Sequence, residues 1–322
     1  MTSPFTFWDA RTAEEAAALL SKKGAMALGG GVDLLGEMKE GIRAPEHIVN
    51  LRSIPGLDKI QKTDRGWRVG ATALLTDIAD HADLRKDLPG FAESAEAVAT
   101  PQIRNQGTIG GNLAQRPRCW YYRAAEFACV KKGGKGCPAE KGENRYLAIF
   151  GDGPCHIVHP SDCAPMLVAL DARLFLRGPD GARDLPIADF YELPSKNALC
   201  EFTLKPGEFI EAVEIPTALP RSTYVKIREK DSFDFAIAAC AIAGKIDGDH
   251  FTDARVVLGG VAPVPWRSVT AEANLRKNTI ADAVEPASNS ATDGARPMSQ
   301  NAWKIPMTKA AVARAIRSFL PR

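Results

Sequence analysis

Residues 12–23 (TAEEAAALLSKK) repeat apolar side chains at helical spacing, with Thr12 placed as an N-cap and Glu15 three positions on. AMAL (25–28) then runs as a short apolar strand into three glycines, and helical spacing follows. HIVNL and WRVGA read as strands, whereas LLTDIADHADLRKD (74–87) and FAESAEAVATPQIR (91–104) read as helices, the second stopping near Pro101. From 106 to 163 hydrophobic periodicity nearly vanishes and glycine, lysine, arginine and cysteine become common, which marks a long insertion. CAPMLVALDARLFLR restores a helix and a strand, GPDGAR is a turn with strand-like flanks, and GEFIEAVEIP is a strand ending in the turn-rich TALPRS. Beyond it STYVKIREK, FDFAIAACAIAGKI and ARVVLGGVAPVPWRS are strand-like. Residues 284–302 are poor in apolar side chains and read as loop, and MTKAAVARAIRSFL is a closing helix. The mixture predicts an α+β fold, with neither regular βαβ alternation nor an all-β pattern.

At 322 residues the chain is long enough for two domains. The turn-rich stretch divides it into 1–220, with subdomains of about 1–58 and 59–220 and an insertion at about 116–158, and a C-terminal α+β domain at 221–322. Charge balances at 41 basic against 39 acidic residues without a basic stripe, which argues against a nucleic-acid partner. No apolar run reaches the length of a membrane span. The N-terminus has no basic n-region before an apolar h-region, so no export signal of its own is expected. The chain is then cytoplasmic, or periplasmic by co-export with a partner subunit.

Two glycine loops carry candidate chemistry. Ala27-Leu28-Gly29-Gly30-Gly31-Val32-Asp33-Leu34 lets the backbone approach a phosphate, and successive N–H groups there form an anion-binding nest. It is neither a dinucleotide fingerprint, since Leu34 holds the third glycine position, nor a P-loop. Arg104-Asn105-Gln106-Gly107-Thr108-Ile109-Gly110-Gly111-Asn112 adds a second glycine pair beside a hydroxyl and an amide. Two such loops about 80 residues apart point to a large phosphate-bearing cofactor gripped from both ends. Cys119, Cys129, Cys137 and Cys155 lie in the polar insertion with no CxxC pair, and four thiolates so placed ligate either one [4Fe–4S] cluster or a zinc ion. Cys163 falls on the following helix, and Cys200 and Cys240 read as core. No hydrolytic triad or HExxH is present, nor a pattern for molybdopterin or a [2Fe–2S] cluster.

GGGVDLL, RNQGTIGGNLA, HPSDCAPMLVALDA and YVKIREKDSFDFAIAACA together resemble the flavin subunit of the xanthine dehydrogenase, aldehyde oxidoreductase and CO dehydrogenase family, over nearly the whole chain. The resemblance implies a two-subdomain FAD-binding fold followed by a C-terminal α+β domain, with FAD held by residues 27–34 and by Thr108, Ile109, Gly110, Gly111 and Asn112. It further implies that Ser161 and Asp162 bond the nucleotide's hydroxyls and that Lys226 reaches the isoalloxazine edge. Val32 departs from the family's Thr, Ser or Asn and offers a phosphate only its backbone N–H. The insertion resembles that of periplasmic-type aldehyde oxidoreductases, and 4-hydroxybenzoyl-CoA reductase carries a comparable one with a [4Fe–4S] cluster, which here implies Cys119, Cys129, Cys137 and Cys155 as ligands. The expected partners are a molybdopterin-binding large subunit and a [2Fe–2S] small subunit, with electrons passing through FAD to an external acceptor. The alternative readings are the flavin subunit of a related hydroxylase or reductase (xanthine, CO or 4-hydroxybenzoyl-CoA type), a stand-alone flavin oxidase and a zinc-stabilised binding protein.

Overall fold

The computed structural model describes residues 3–321. In the N-terminal part of the described chain, β1 (Thr6–Asp9), β2 (Ala25–Leu28) and β3 (His47–Asn50) form a small parallel sheet, in the order β1-β3-β2. The helix Ala13–Leu20 packs on it through Ala16, Ala17 and Leu20, and the Thr12 hydroxyl accepts the Glu15 N–H at 3.1 Å, as its N-cap position predicts.

The second lobe is a five-stranded antiparallel sheet of β4 (Ile60–Thr63), β5 (Gly66–Gly70), β6 (Arg173–Gly178), β7 (Gly181–Pro186) and β8 (Phe209–Ile215), ordered β4-β5-β8-β6-β7. Both helical segments before the insertion are broken where the sequence reads them as continuous. His81 ends the helix Leu75–Asp80 and its ring accepts the Leu84 N–H to begin Ala82–Asp87. Pro101 does not stop a helix: Pro89–Glu96 has already ended, and Pro101 opens the turn Pro101–Arg104 under a Thr100 cap. That is the helical position where a missing N–H costs nothing.

The third lobe is a four-stranded antiparallel sheet of β9 (Arg221–Ile227), β10 (Ala238–Asp247), β11 (His250–Gly259) and β12 (Trp266–Arg267), covered by the helices Val269–Lys277, Ile280–Ser290 and Lys304–Arg317. Residues 284–302 are therefore not all loop. Their first part continues a helix that buries Ala283, Ala287 and Ser288, small side chains that contribute little to an apolar count. The helix Cys163–Ala169 is wholly buried and packs on β10 and β11, which ties the second lobe to the third. Among the described residues no helix is long and apolar enough to cross a membrane.

The insertion is ordered around short turns and a small core of its own, formed by Tyr121, Tyr122, Cys129, Ala139 and Leu147. Its exit is pinned by Lys304, whose buried ammonium donates to the carbonyls of Tyr146, Leu147 and Gly260 at 3.2, 3.1 and 2.6 Å. Burial pushes this lysine from 10.5 down to about 7. Between those values the unfolded chain holds a proton that the folded chain has released, so stability rises with pH across that window. Lys304→Met is expected to cost about 1–3 kcal/mol near pH 10, where the folded wild type holds the lysine neutral, by stranding carbonyls. It should also flatten the rise between pH 7 and 10. Urea melts at several pH values check both effects, and an unchanged slope would count against Lys304 as its source.

Candidate functional site: a dinucleotide cleft beside a four-cysteine pocket

The two glycine loops meet. Gly29, Gly30 and Gly31 leave the end of β2, with Gly31 at φ +74°, and the helix Leu34–Lys39 follows. The Gln106 side-chain amide donates to the Gly30 carbonyl at 3.0 Å. A Cβ on Gly30 would lie 2.0 Å from the Gln106 carbonyl oxygen, and one on Gly29 would lie 2.6 Å from Thr108 Oγ1. Gly30 is thus required by the closeness of two backbones, and Gly29 by the Thr108 side chain against it.

The loops divide their labour. Among the described residues, no acceptor of the chain takes the N–H groups of Gly30, Gly31 or Val32, which leaves a row of free donors on the first loop. In the second loop the Ile109 and Gly110 amides donate to Ala73 and Ala71 at 3.0 and 2.8 Å, and Gly111 donates to Thr108 Oγ1 at 3.2 Å. That loop is anchored to the sheet lobe, and what it has left to offer is the Thr108 hydroxyl proton and the Asn112 amide. Asn112 Oδ1 is fixed by the Ser161 hydroxyl at 2.5 Å, which orients its NH₂.

Between the lobes lies a cleft of about 890 Å³ lined by residues 24–34 of the first lobe, by Thr108, Gly110, Gly111 and Asn112 of the second, and by Phe233 and Phe235 of the third. This lies toward the upper end of the roughly 300–1,000 Å³ usual for ligand sites. Ala27, Leu28, Gly29, Gly30, Gly31, Val32, Asp33 and Leu34 all line it; Ile109 is buried behind the wall.

Asp162 and Lys226 are placed differently from expectation. Neither lines the cleft, nor does Ser161. The Lys226 ammonium sits 2.7 Å from Asp162 Oδ2 and donates to the Ala97 carbonyl at 3.0 Å, while the Tyr224 hydroxyl donates to Asp162 Oδ1 at 2.7 Å. Both charged side chains are only 4% exposed. They support the wall at 97–99 from behind. Asp162 begins the helix Cys163–Ala169 without a side-chain capping bond; the Ser161 hydroxyl accepts the Ala164 N–H instead. His159 accepts the Ser161 N–H at 3.4 Å, and burial pushes it down to about 3, so it is neutral.

Arg116, Arg118, Phe233 and Phe235 also line the cleft, and sequence reasoning missed them. The Arg118 guanidinium lies over the Phe235 ring, with 5.2 Å to the centroid, so a contact between residues far apart in the chain closes one side.

Immediately beyond Arg118 is the cysteine pocket. Cys119, Cys129, Cys137 and Cys155 line one small cavity with Tyr122, Lys131 and Leu147. Burial pushes the thiols of Cys119 and Cys137 up and that of Cys155 to about 12. Among the described residues no three His, Cys, Asp or Glu side chains converge closely enough for a single metal ion. Cys163 and Cys240 are buried elsewhere, while Cys200 is half-buried in a loop rather than in the core.

Comparison with known proteins agrees with this geometry. Residues 3–218 match the family described as the FAD-binding domain in molybdopterin dehydrogenase, and 222–319 match the CO dehydrogenase flavoprotein C-terminal domain. The aldehyde oxidoreductase FAD-binding subunit PaoB of Escherichia coli is 38% identical over 96% of both chains. The carbon monoxide dehydrogenase medium chain of Hydrogenophaga pseudoflava is 28% identical over 89% of this chain and 85% of its own. The solved carbon monoxide dehydrogenase of that organism superposes with a TM-score of 0.78 at 25% identity, covering 98% of this chain and 97% of the other. The two glycine loops, the cleft they bound and the C-terminal lobe thus place the chain among the FAD-binding medium subunits of the molybdenum hydroxylases.

Proposed function

We propose that this chain is the electron-output subunit of a heterotrimeric aldehyde oxidoreductase, working with a molybdopterin-binding large subunit and a [2Fe–2S] small subunit, and that it carries a [4Fe–4S] cluster besides FAD. The 38% identity to an aldehyde oxidoreductase FAD-binding subunit supports the substrate class. Bound FAD supplies the electron carrier, and the protein supplies binding and orientation. The free amides of Gly30, Gly31 and Val32, the Thr108 hydroxyl and the Asn112 amide are the groups placed to hold its pyrophosphate. Ser161, Asp162 and Lys226 hold that frame from behind.

The observation that carries the cluster is that four cysteines spread over 37 residues line one cavity. In a [4Fe–4S] cluster each thiolate binds a different iron, so its sulfurs stand farther apart than the ligands of one ion. Four thiolates around one cavity suit a [4Fe–4S] cluster or a tetrahedral zinc ion alike, and metal analysis separates the two. Lys131, whose charge acts on Cys155, places a cation beside thiolates that ligation would deprotonate.

An absorption spectrum of anaerobically purified protein, with iron and zinc quantified on the same sample, tests the reading. Flavin bands over a broad shoulder with about four irons per chain are expected. Flavin without iron overturns the cluster, and zinc without flavin overturns the whole assignment.

A further inference from the structure

We propose that Asp33 is a positioning residue that couples the four-cysteine site to FAD binding, so that filling one site strengthens the other. The proposal rests on the cluster reading above. Asp33 belongs to the first glycine loop, yet its carboxylate is fully engaged by the start of the insertion. Oδ2 accepts the Arg116 N–H at 2.7 Å, and Oδ1 accepts from Arg118 at 2.5 Å and from Arg123 at 2.7 Å. One turn further along the same helix, Glu37 accepts the Tyr122 hydroxyl, and Glu40 pairs with Arg123 at 3.5 Å. The glycine loop and its helix are therefore bolted to residues 116–123, and Cys119 sits in the middle of that segment.

Cys119 controls the segment's shape. Its carbonyl accepts the N–H groups of Tyr122 and Arg123 at 3.0 and 2.9 Å, which closes the single turn Trp120–Arg123. Tyr122 reaches from that turn into the cysteine cavity, between the guanidinium groups of Arg116 and Arg123 at 5.3 and 5.6 Å from its ring centroid. A four-residue helix has little stability of its own. Tethering the Cys119 sulfur fixes the turn and so aims Arg123, Arg118 and Tyr122 at Asp33 and Glu37.

Charge gives the coupling its direction. Asp33 stands in a loop whose free N–H groups suit an anionic ligand, and the Arg118 and Arg123 guanidinium groups pair with its carboxylate. When the insertion is loose, the carboxylate opposes the pyrophosphate and the loop must be ordered at binding. When the insertion is tethered, both costs have already been met. A cofactor that pre-orders the other's site gives positive cooperativity, and the effect is reciprocal.

The test is FAD affinity, read by flavin fluorescence quenching, on the full chain stripped of flavin, in iron-loaded and chelator-depleted forms. Iron removal is expected to weaken FAD binding about 5–150-fold. Asp33→Asn removes both the link and the opposing charge, so its FAD affinity should no longer depend on iron and the ratio between the two forms collapses toward one, while Asp33→Glu should restore part of it. Arg123→Met cuts the same link without touching the glycine loop and should also collapse the ratio. A merely structural Asp33 would lower both affinities by one common factor and leave the ratio intact, which overturns the proposal. Equal FAD affinity with and without iron in the folded wild type overturns the coupling alone; a chain that never takes up iron overturns the cluster reading and the coupling with it.

Discussion

Gly30→Ala is expected to yield folded protein that purifies without flavin. The added Cβ would lie 2.0 Å from the Gln106 carbonyl oxygen and 3.1 Å from the Gly107 Cα. Both are backbone atoms of a segment anchored to the second lobe through Leu75, Ile109 and Gly110, so neither gives way cheaply. The loops must separate, the Gln106–Gly30 hydrogen bond is lost, and the free amides move away from Thr108 and Asn112. A pyrophosphate held from both sides then keeps one side. The expected loss of FAD affinity is at least about 100-fold, or roughly 2.8 kcal/mol at 1.4 kcal/mol per factor of ten. Gly36→Ala is the matched control. It lies in the helix Leu34–Lys39, its added Cβ would come no closer than 3.9 Å to Arg123, and alanine favours a helix over glycine by about 1 kcal/mol. That variant should keep its flavin and melt no lower than wild type. Normal flavin content in Gly30→Ala would mean that the meeting of the loops is not the pyrophosphate clamp.

Much of this site is legible in the sequence because its chemistry is local. Three consecutive glycines and the TIGGN run mark close backbone approach, and each loop's residues are contiguous. Thr12 with Glu15 fixes a helix start, and GPDGAR places the β6–β7 hairpin, because caps and turns depend on only a few neighbouring side chains. Other features depend on partners that no window contains. Asp33 sits inside a recognisable motif, but its three donors lie 83 to 90 residues away. Lys226 alternates with apolar neighbours on β9, and nothing nearby says that its charge ends on Asp162, 64 residues back. The misread of 284–302 has another cause. That helix begins at Ile280, so a segment read from 284 onward loses its first turn, and what remains carries Pro286 and buries only the small side chains Ala287 and Ser288.

Glu201→Gln is expected to give the larger loss of stability. Glu201 is 2% exposed and faces two buried cations, with Arg116 Nε at 2.6 Å and Lys131 Nζ at 2.5 Å. Arg116 lines the cleft and Lys131 lines the cysteine pocket, so this one carboxylate joins the walls of both sites. The cations keep hydrogen bonds to the Leu199 and Ala198 carbonyls at 2.8 and 2.9 Å, and those do not neutralise them. A glutamine leaves two like charges facing each other in a medium that screens poorly. Breaking a buried pair from one side typically costs about 3–5 kcal/mol. At about 2.1 cal/mol/K of unfolding entropy per residue, that corresponds to a fall of roughly 4–7 °C in melting temperature for a chain of this size. If the cost is stranded charge rather than a lost contact, deleting one of the cations should return part of it. Lys131→Met in the Glu201→Gln background is therefore expected to melt above Glu201→Gln alone, although Lys131→Met by itself lowers stability. Strict additivity of the two substitutions would show that the three side chains are not coupled, and that the two walls are held together by something other than Glu201.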